Sequence, residues 1–183
     1  MSKQLTFKNL LFIVLMLSLS LIIAGCKTPK EYNVEYINSH LNATGYVGYE
    51  YIKTIHSNDF LLLEEKTTAE KQEESYLITK IVKELADITS SETYKTTETT
   101  ETVELADNPI LFELTEDNFE TVEVKENSLV GTVKDDADVL GYEVLNLQIK
   151  IDLNKDLNVS NVELSYDDPK TGFTVKLVVK YNY

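Results

Sequence analysis

Arginine and tryptophan are absent from the 183 residues, cysteine occurs once, proline three times and glycine six times. One cysteine excludes an intramolecular disulfide and any cysteine-rich zinc cluster. Seventeen basic residues, all lysine, face 31 acids, for a formal net charge of −14. That balance repels a phosphate backbone and argues against nucleic acid as a partner. No GxSxG, P-loop, GxGxxG, SxxK or HExxH pattern occurs, so catalysis has no positive support and the chain reads as no enzyme. Beyond residue 26 there is no second long apolar run, and nothing there is suited to cross a bilayer as a helix.

What is present begins with an address. Lys3 and Lys8 give residues 1–10 a positive charge without an acid, and Leu10 to Ile23 runs LLFIVLMLSLSLII. A charged start followed by an apolar stretch of this length fits a signal peptide better than a membrane span, which needs roughly 20 apolar residues. The stretch ends Ile22-Ile23-Ala24-Gly25-Cys26, which resembles the bacterial lipobox. The resemblance implies cleavage between Gly25 and Cys26 and a diacylglycerol on the Cys26 thiol, with further acylation giving two or three chains. Several chains at one residue hold a protein stably at a membrane where one does not. The expected organisation is a signal peptide over 1–25, a lipidated tether over 26–30 and one domain over 31–183, lipid-anchored on the outer, extracytoplasmic face of a bacterial cell membrane. Losing Lys3 and Lys8 with the leader leaves 15 lysines against 31 acids, a side-chain charge of −16. Charge therefore repels this domain from anionic lipid, and the acyl chains must do the holding.

In the domain, Val34, Ile37 and Leu41 fall at helical spacing and predict a helix within 31–43. YVGYEYIKTI at 46–55 is β-branched and aromatic, with Val47, Tyr49, Tyr51 and Ile55 on one face; turn residues at 56–59 and FLLLE at 60–64 complete a hairpin. Over 69–87 the residues Leu77, Ile78, Ile81, Val82 and Leu85 make an apolar helical stripe, with acids towards the start and lysines later, so a second, amphipathic helix is expected. The Thr-rich stretch 90–104 is polar on both faces and reads as an exposed edge strand or loop. From Ile110 onward short strands follow one another, clearest where Leu145, Leu147, Ile149, Ile151 and Leu153 alternate with polar residues, then Val162, Leu164 and Tyr166, then Phe173 to Tyr183. The expected fold is α+β: a curled antiparallel sheet, a half-barrel-like meander, with helices packed on one face.

One stretch has metal-ligand spacing. DLNKDLNVSNVE at 152–163 places Asp152, Asn154, Asp156, Asn158, Ser160 and Glu163 at EF-hand ligand positions for Ca²⁺. Leu157 stands where Gly normally permits the sharp turn, and the flanks read as strands, so a plain β-turn accounts for the same residues. His40 and His56 read as structural. All 11 tyrosines lie after residue 26, among them the cluster Tyr46, Tyr49 and Tyr51 and the terminal pair Tyr181 and Tyr183; most are expected in the core, and an aromatic-lined groove for an apolar ligand is the alternative.

The helix before YVGYEYIKTI, the segment LFELTEDNFETVEV and the closing meander NLQIKIDLNKDLNVSNVELSY…GFTVKLVVKYNY resemble the LolA/LppX-type lipoprotein superfamily. The resemblance is best over 145–183 and poor over 66–108, and it supplies no compact ligand motif. It implies a half-barrel enclosing an apolar cavity for lipid or acyl chains. The absence of arginine departs from carriers that hold a ligand's head group with one. Two functions follow. One is a non-catalytic binding module for a lipid or other hydrophobic ligand, with no cofactor beyond the acyl chains on Cys26. The other is a surface or structural lipoprotein that meets a protein or cell-wall partner and has no ligand cavity. What separates them is whether the space between sheet and helices is open or packed.

Overall fold

The structure, a computed structural model, describes residues 32–41, 45–86, 93–104 and 112–183. The leader, the lipobox with Gly25 and Cys26, and the tether lie outside them. Tyr32–Tyr183 forms one compact unit. Its elements are helix α1 (Val34–Leu41), then β1 (Gly48–Ser57), β2 (Phe60–Gln72), β3 (Ser75–Leu85), β4 (Tyr94–Val103), a 3-10 turn (Glu116–Asn118), β5 (Phe119–Lys125), β6 (Ser128–Val133), β7 (Leu145–Leu153), β8 (Val159–Asp167) and β9 (Thr174–Asn182).

All nine strands join one antiparallel sheet in the order β4-β3-β2-β1-β9-β8-β7-β6-β5. Two meanders, β1 to β4 and β5 to β9, are therefore stitched together by the first and last strands, from Gly48↔Asn182 to His56↔Thr174. β4 and β5 are the two edges.

One face, here called the inner face, carries the core. Leu129 on β6, Leu147, Ile149, Ile151 and Leu153 on β7, Val162 and Leu164 on β8, and Leu177 and Val179 on β9 are buried along it. Val34 and Ile37 of α1, with Leu114, Val139 and Val144 from the connecting segments, pack into the same cluster. Asn33 starts α1 by accepting the Tyr36 amide on its side chain at 2.9 Å, the ordinary role of an N-cap. Asn38 ties the helix to the rest by accepting the Leu114 amide at 3.0 Å.

The fold is thus essentially all-β, and the α+β expectation with helices on one face is overturned. The predicted helix over 69–87 is the end of β2, a turn at Glu73-Glu74 and the whole of β3. The physical reason lies in the neighbours. Along β3, Ile78, Lys80 and Val82 face inward while Leu77, Thr79 and Ile81 face outward. Both faces stay half-buried, so both carry a mixture of apolar and polar side chains. The pairs 77/78 and 81/82 put one apolar residue on each face, and in sequence that reads as a helical stripe. Lys80 pairs with Glu65 on β2 at 2.7 Å, and Lys83 lies 4.7 Å from the centre of the Tyr94 ring on β4. The lysines thus bind across strands and do not complement a helix end.

Close strand approach requires a glycine at Gly48. A Cβ on Gly48 would meet the backbone carbonyl of Ala69 across the β1–β2 ladder. Gly48→Ala is expected to cost about 1–3 kcal/mol, the usual penalty for forcing extra volume into a packed site. Urea unfolding should read this as a lower midpoint at unchanged slope; an unchanged midpoint would show that the two strands can part there freely.

Candidate functional site

The inner face changes character at β1. From β6 to β9 it is filled by aliphatic side chains beneath α1 and the 134–144 segment. On β1 the inward residues are Tyr49, Tyr51, Lys53 and Ile55, facing Tyr181, Val179, Leu177 and Val175 of β9. On β2 and β3 they become Ala69, Thr67 and Glu65, then Ile78, Lys80 and Val82. Buried aliphatics give way to half-buried aromatic and polar groups.

Tyrosines mark the transition. Tyr46 lies 6.0 Å from Tyr49, 6.5 Å from Tyr76 and 5.5 Å from Tyr181 by ring centres, in edge or tilted contacts that aromatic pairs favour. The Tyr76 hydroxyl donates to the Tyr46 carbonyl at 3.3 Å and the Tyr183 hydroxyl to the Val159 carbonyl at 3.0 Å. Beside this cluster an open cleft of about 460 Å³ runs over β1 to β4. Tyr49, Ile78 and Val103 supply its apolar lining; Thr67, Lys80 and Glu101 supply its polar lining.

A second cleft of about 270 Å³ lies on the same face at the other end of β1. Ile55 and Val175 form its apolar part, and Lys53, Lys170, Glu143, Asp168, Tyr142 and Tyr166 its polar part. The Tyr142 and Tyr166 hydroxyls are 2.9 Å apart and share a hydrogen bond. Tyr166 is buried whereas Tyr142 is about half exposed, so the pair leads from the core to the surface.

Burial governs how these phenols titrate. Burial, then the nearby Glu65 carboxylate and Tyr142, pushes Tyr51 up to about 12. Burial likewise raises Tyr166, reinforced by its bond to Tyr142, and raises Tyr181, reinforced by Tyr46. A raised phenol pKa means the folded state holds its proton more tightly than the unfolded chain does. The associated stability is therefore complete below about pH 10, the unfolded value, and is lost as pH climbs towards the folded values. The thermal midpoint should stay level below about pH 10 and fall between about pH 10 and 12, with phenolate absorbance rising in step with unfolding. Phenolate absorbance appearing near pH 10 in the still-folded protein for all 11 tyrosines would contradict this.

The calcium candidates fall on the β7–β8 hairpin. Asp152 ends one side and Glu163 lies on β8, while Asn154 accepts the amides of Asp156 and Asn158 at 2.9 and 3.0 Å, and Leu157 takes a positive φ of 62°. Asp152 and Glu163 both hold Lys150, at 3.2 and 2.7 Å, and both accept from the Asn161 side chain. Lys150, and then Asn161, keep the Glu163 carboxyl below its ordinary value. A lysine thus sits where the two carboxylates converge, and the described residues hold no group of three or more His, Cys, Asp or Glu side chains placed to share a metal.

His40 bonds the Tyr36 carbonyl through Nδ1 at 2.7 Å within α1. His56 lies on β1, one residue before the strand's end, and the turn itself is Asn58-Asp59, with Asn58 at a φ of 52°.

Sequence reasoning singled out Tyr46, Tyr49, Tyr51, Tyr181 and Tyr183, and the structure gathers the first four and Tyr76 on the inner face. It missed Lys53, Tyr142 and Tyr166. Lys53 had a signal: it interrupts the apolar inward row of β1. Tyr142 had none, because it comes from an irregular segment and meets Tyr166 only through folding. Compared with known proteins, the chain matches no family model, no curated protein and no solved structure.

Proposed function

We propose that this chain is a membrane-anchored extracytoplasmic lipoprotein, held through acyl chains on Cys26, whose domain binds a lipid or other hydrophobic ligand without catalysing a reaction. The observation that carries this reading is the open cleft of about 460 Å³ over β1 to β4, lined by Tyr49, Ile78 and Val103. Its size suits a small-molecule ligand, and its mixed lining suits one that is part apolar and part wet. The ligand class is the one implied by the LolA/LppX resemblance, but the place differs. The space beneath α1 is filled by Val34, Ile37 and Leu114, which there favours the module without a cavity, and the ligand proposed here lies on the uncovered part of the sheet. Solvent extraction of the purified protein followed by mass spectrometry should recover a bound hydrophobe in stoichiometric amount. Clean protein in repeated preparations would overturn the reading.

One observation favours a surface-interaction role instead. β4 is a ten-residue edge strand, exposed on both faces and paired to β3 without a bulge. Such an edge is a template for a strand from a partner protein. Pull-downs from membranes that capture no partner would count against it.

A further inference from the structure

We infer that the ligand is an amphiphile with a single acidic head group, a carboxylate or a phosphate monoester, and that Lys53 holds that head group in the smaller cleft. The inference rests on the hydrophobic-ligand reading above and assigns its polar end.

Lys53 points from β1 onto the inner face, between Tyr51 and Ile55 and opposite Leu177. Lys53 is half-buried in this row, and among the described residues it forms no ion pair. Of the acids around it, two are engaged elsewhere and one is exposed. Glu65, its neighbour across the ladder, is held by Lys80 at 2.7 Å. Asp168 is engaged in its own turn, accepting the Lys170 amide at 2.9 Å and the Thr171 hydroxyl at 2.8 Å. Glu143 lies on the exposed rim of the cleft and makes no ion pair with Lys53. Lys170 lines the same cleft, and the Tyr142–Tyr166 hydroxyl pair offers a further donor beside it.

The apolar end has a path. Ile55 and Val175 flank the lysine in the cleft, and Tyr51 leads along β1 to Tyr49 at the edge of the larger cleft. Tyr49 and Lys53 are four residues apart on one strand, roughly 13 Å at the usual rise. The two clefts therefore lie along one face of β1, Lys53 in one and the mixed aromatic, aliphatic and polar lining of Tyr49, Ile78, Thr67 and Lys80 in the other. The domain's overall acidity opposes an anion at long range, but salt screens that repulsion beyond about 8 Å. Within the cleft Lys53 and Lys170 stand against Glu143 and Asp168, of which Asp168 is already bonded within its own turn.

The test uses the full-length chain in nanodiscs, photolabelled with a diazirine-bearing lauric acid or the matching lauryl alcohol. The acid should label peptides covering residues 49–55 and 175–181, and the alcohol should label them about tenfold less, as loss of a charge-assisted hydrogen bond implies. Lys53→Met, which keeps the apolar stem, should bring labelling by the acid down to that of the alcohol. Lys66→Met, on the outer face and paired with Glu50, should leave it unchanged. Equal labelling by acid and alcohol, unaffected by Lys53→Met, would overturn the head-group assignment while the hydrophobic-ligand reading stands. Inorganic phosphate competing as well as laurate would show a plain anion site and overturn the amphiphile. Labelling of neither peptide by either probe would overturn both readings.

Discussion

Ile151→Ala is expected to cost about 2–5 kcal/mol, the range for emptying a buried branched aliphatic site in a packed core. Ile151 is fully buried on β7, between Leu129 of β6 and Val162 of β8, beneath the layer that α1 and the connecting segments provide. Its surroundings are held by the ladder on both sides and cannot collapse into the space left behind. Ile81→Ala on β3 removes the same atoms from a half-buried outward position with no covering layer. It should cost about 1 kcal/mol or less, because most of its surface already meets water or the stems of neighbouring side chains. Urea unfolding of the two variants tests the contrast directly. Equal costs would mean that the outer face of β3 is packed as tightly as the core around β7.

Cys26→Ala should abolish lipidation outright. The wild-type chain is expected to begin at Cys26 after processing and to incorporate labelled fatty acid. The variant should incorporate none and should not be cut after Gly25, since the thiol is the only group in the leader region that can carry the thioether. The energetic consequence is large. Each buried methylene contributes about 0.8 kcal/mol, and two or three chains make attachment stable where one is marginal. For a domain with a side-chain charge of −16, no electrostatic attraction to anionic lipid substitutes for those chains. Intact-mass measurement and radiolabelling check the prediction; fatty-acid label persisting in Cys26→Ala would refute it.

How much of this molecule could be read from its residues depended on what covers each strand. β7, β8 and β9 were legible because one side is buried and the other wet, which forces the alternation of Ile149, Ile151 and Leu153, then Val162 and Leu164, then Leu177 and Val179. Even there Leu145 fits the pattern and yet is exposed, because a register shift and a positive φ at Asn146 turn it out of the row. The Asn58-Asp59 hairpin also followed from local chemistry, and of the two readings of the Thr-rich stretch, edge strand or loop, β4 is the first. β3 did not. A strand without a layer on either face has no reason to alternate, and its apolar residues fell by chance into a helical rhythm. The aromatic part of the candidate site was visible as a tyrosine cluster. The Tyr142–Tyr166 bond was invisible, because it joins residues 24 apart through a segment without periodicity.

Hydrogen exchange across the sheet, with and without saturating laurate, tests the central claim most directly: the sheet extends past its core and presents an open inner face to an amphiphile. Amides of β7 and β8 should exchange far more slowly than those of β2 to β4 in the free protein, since local opening follows local packing. Laurate should slow exchange in β1 to β3 and leave β7 and β8 unchanged. Uniform protection across all nine strands, with no response to laurate, would contradict the account.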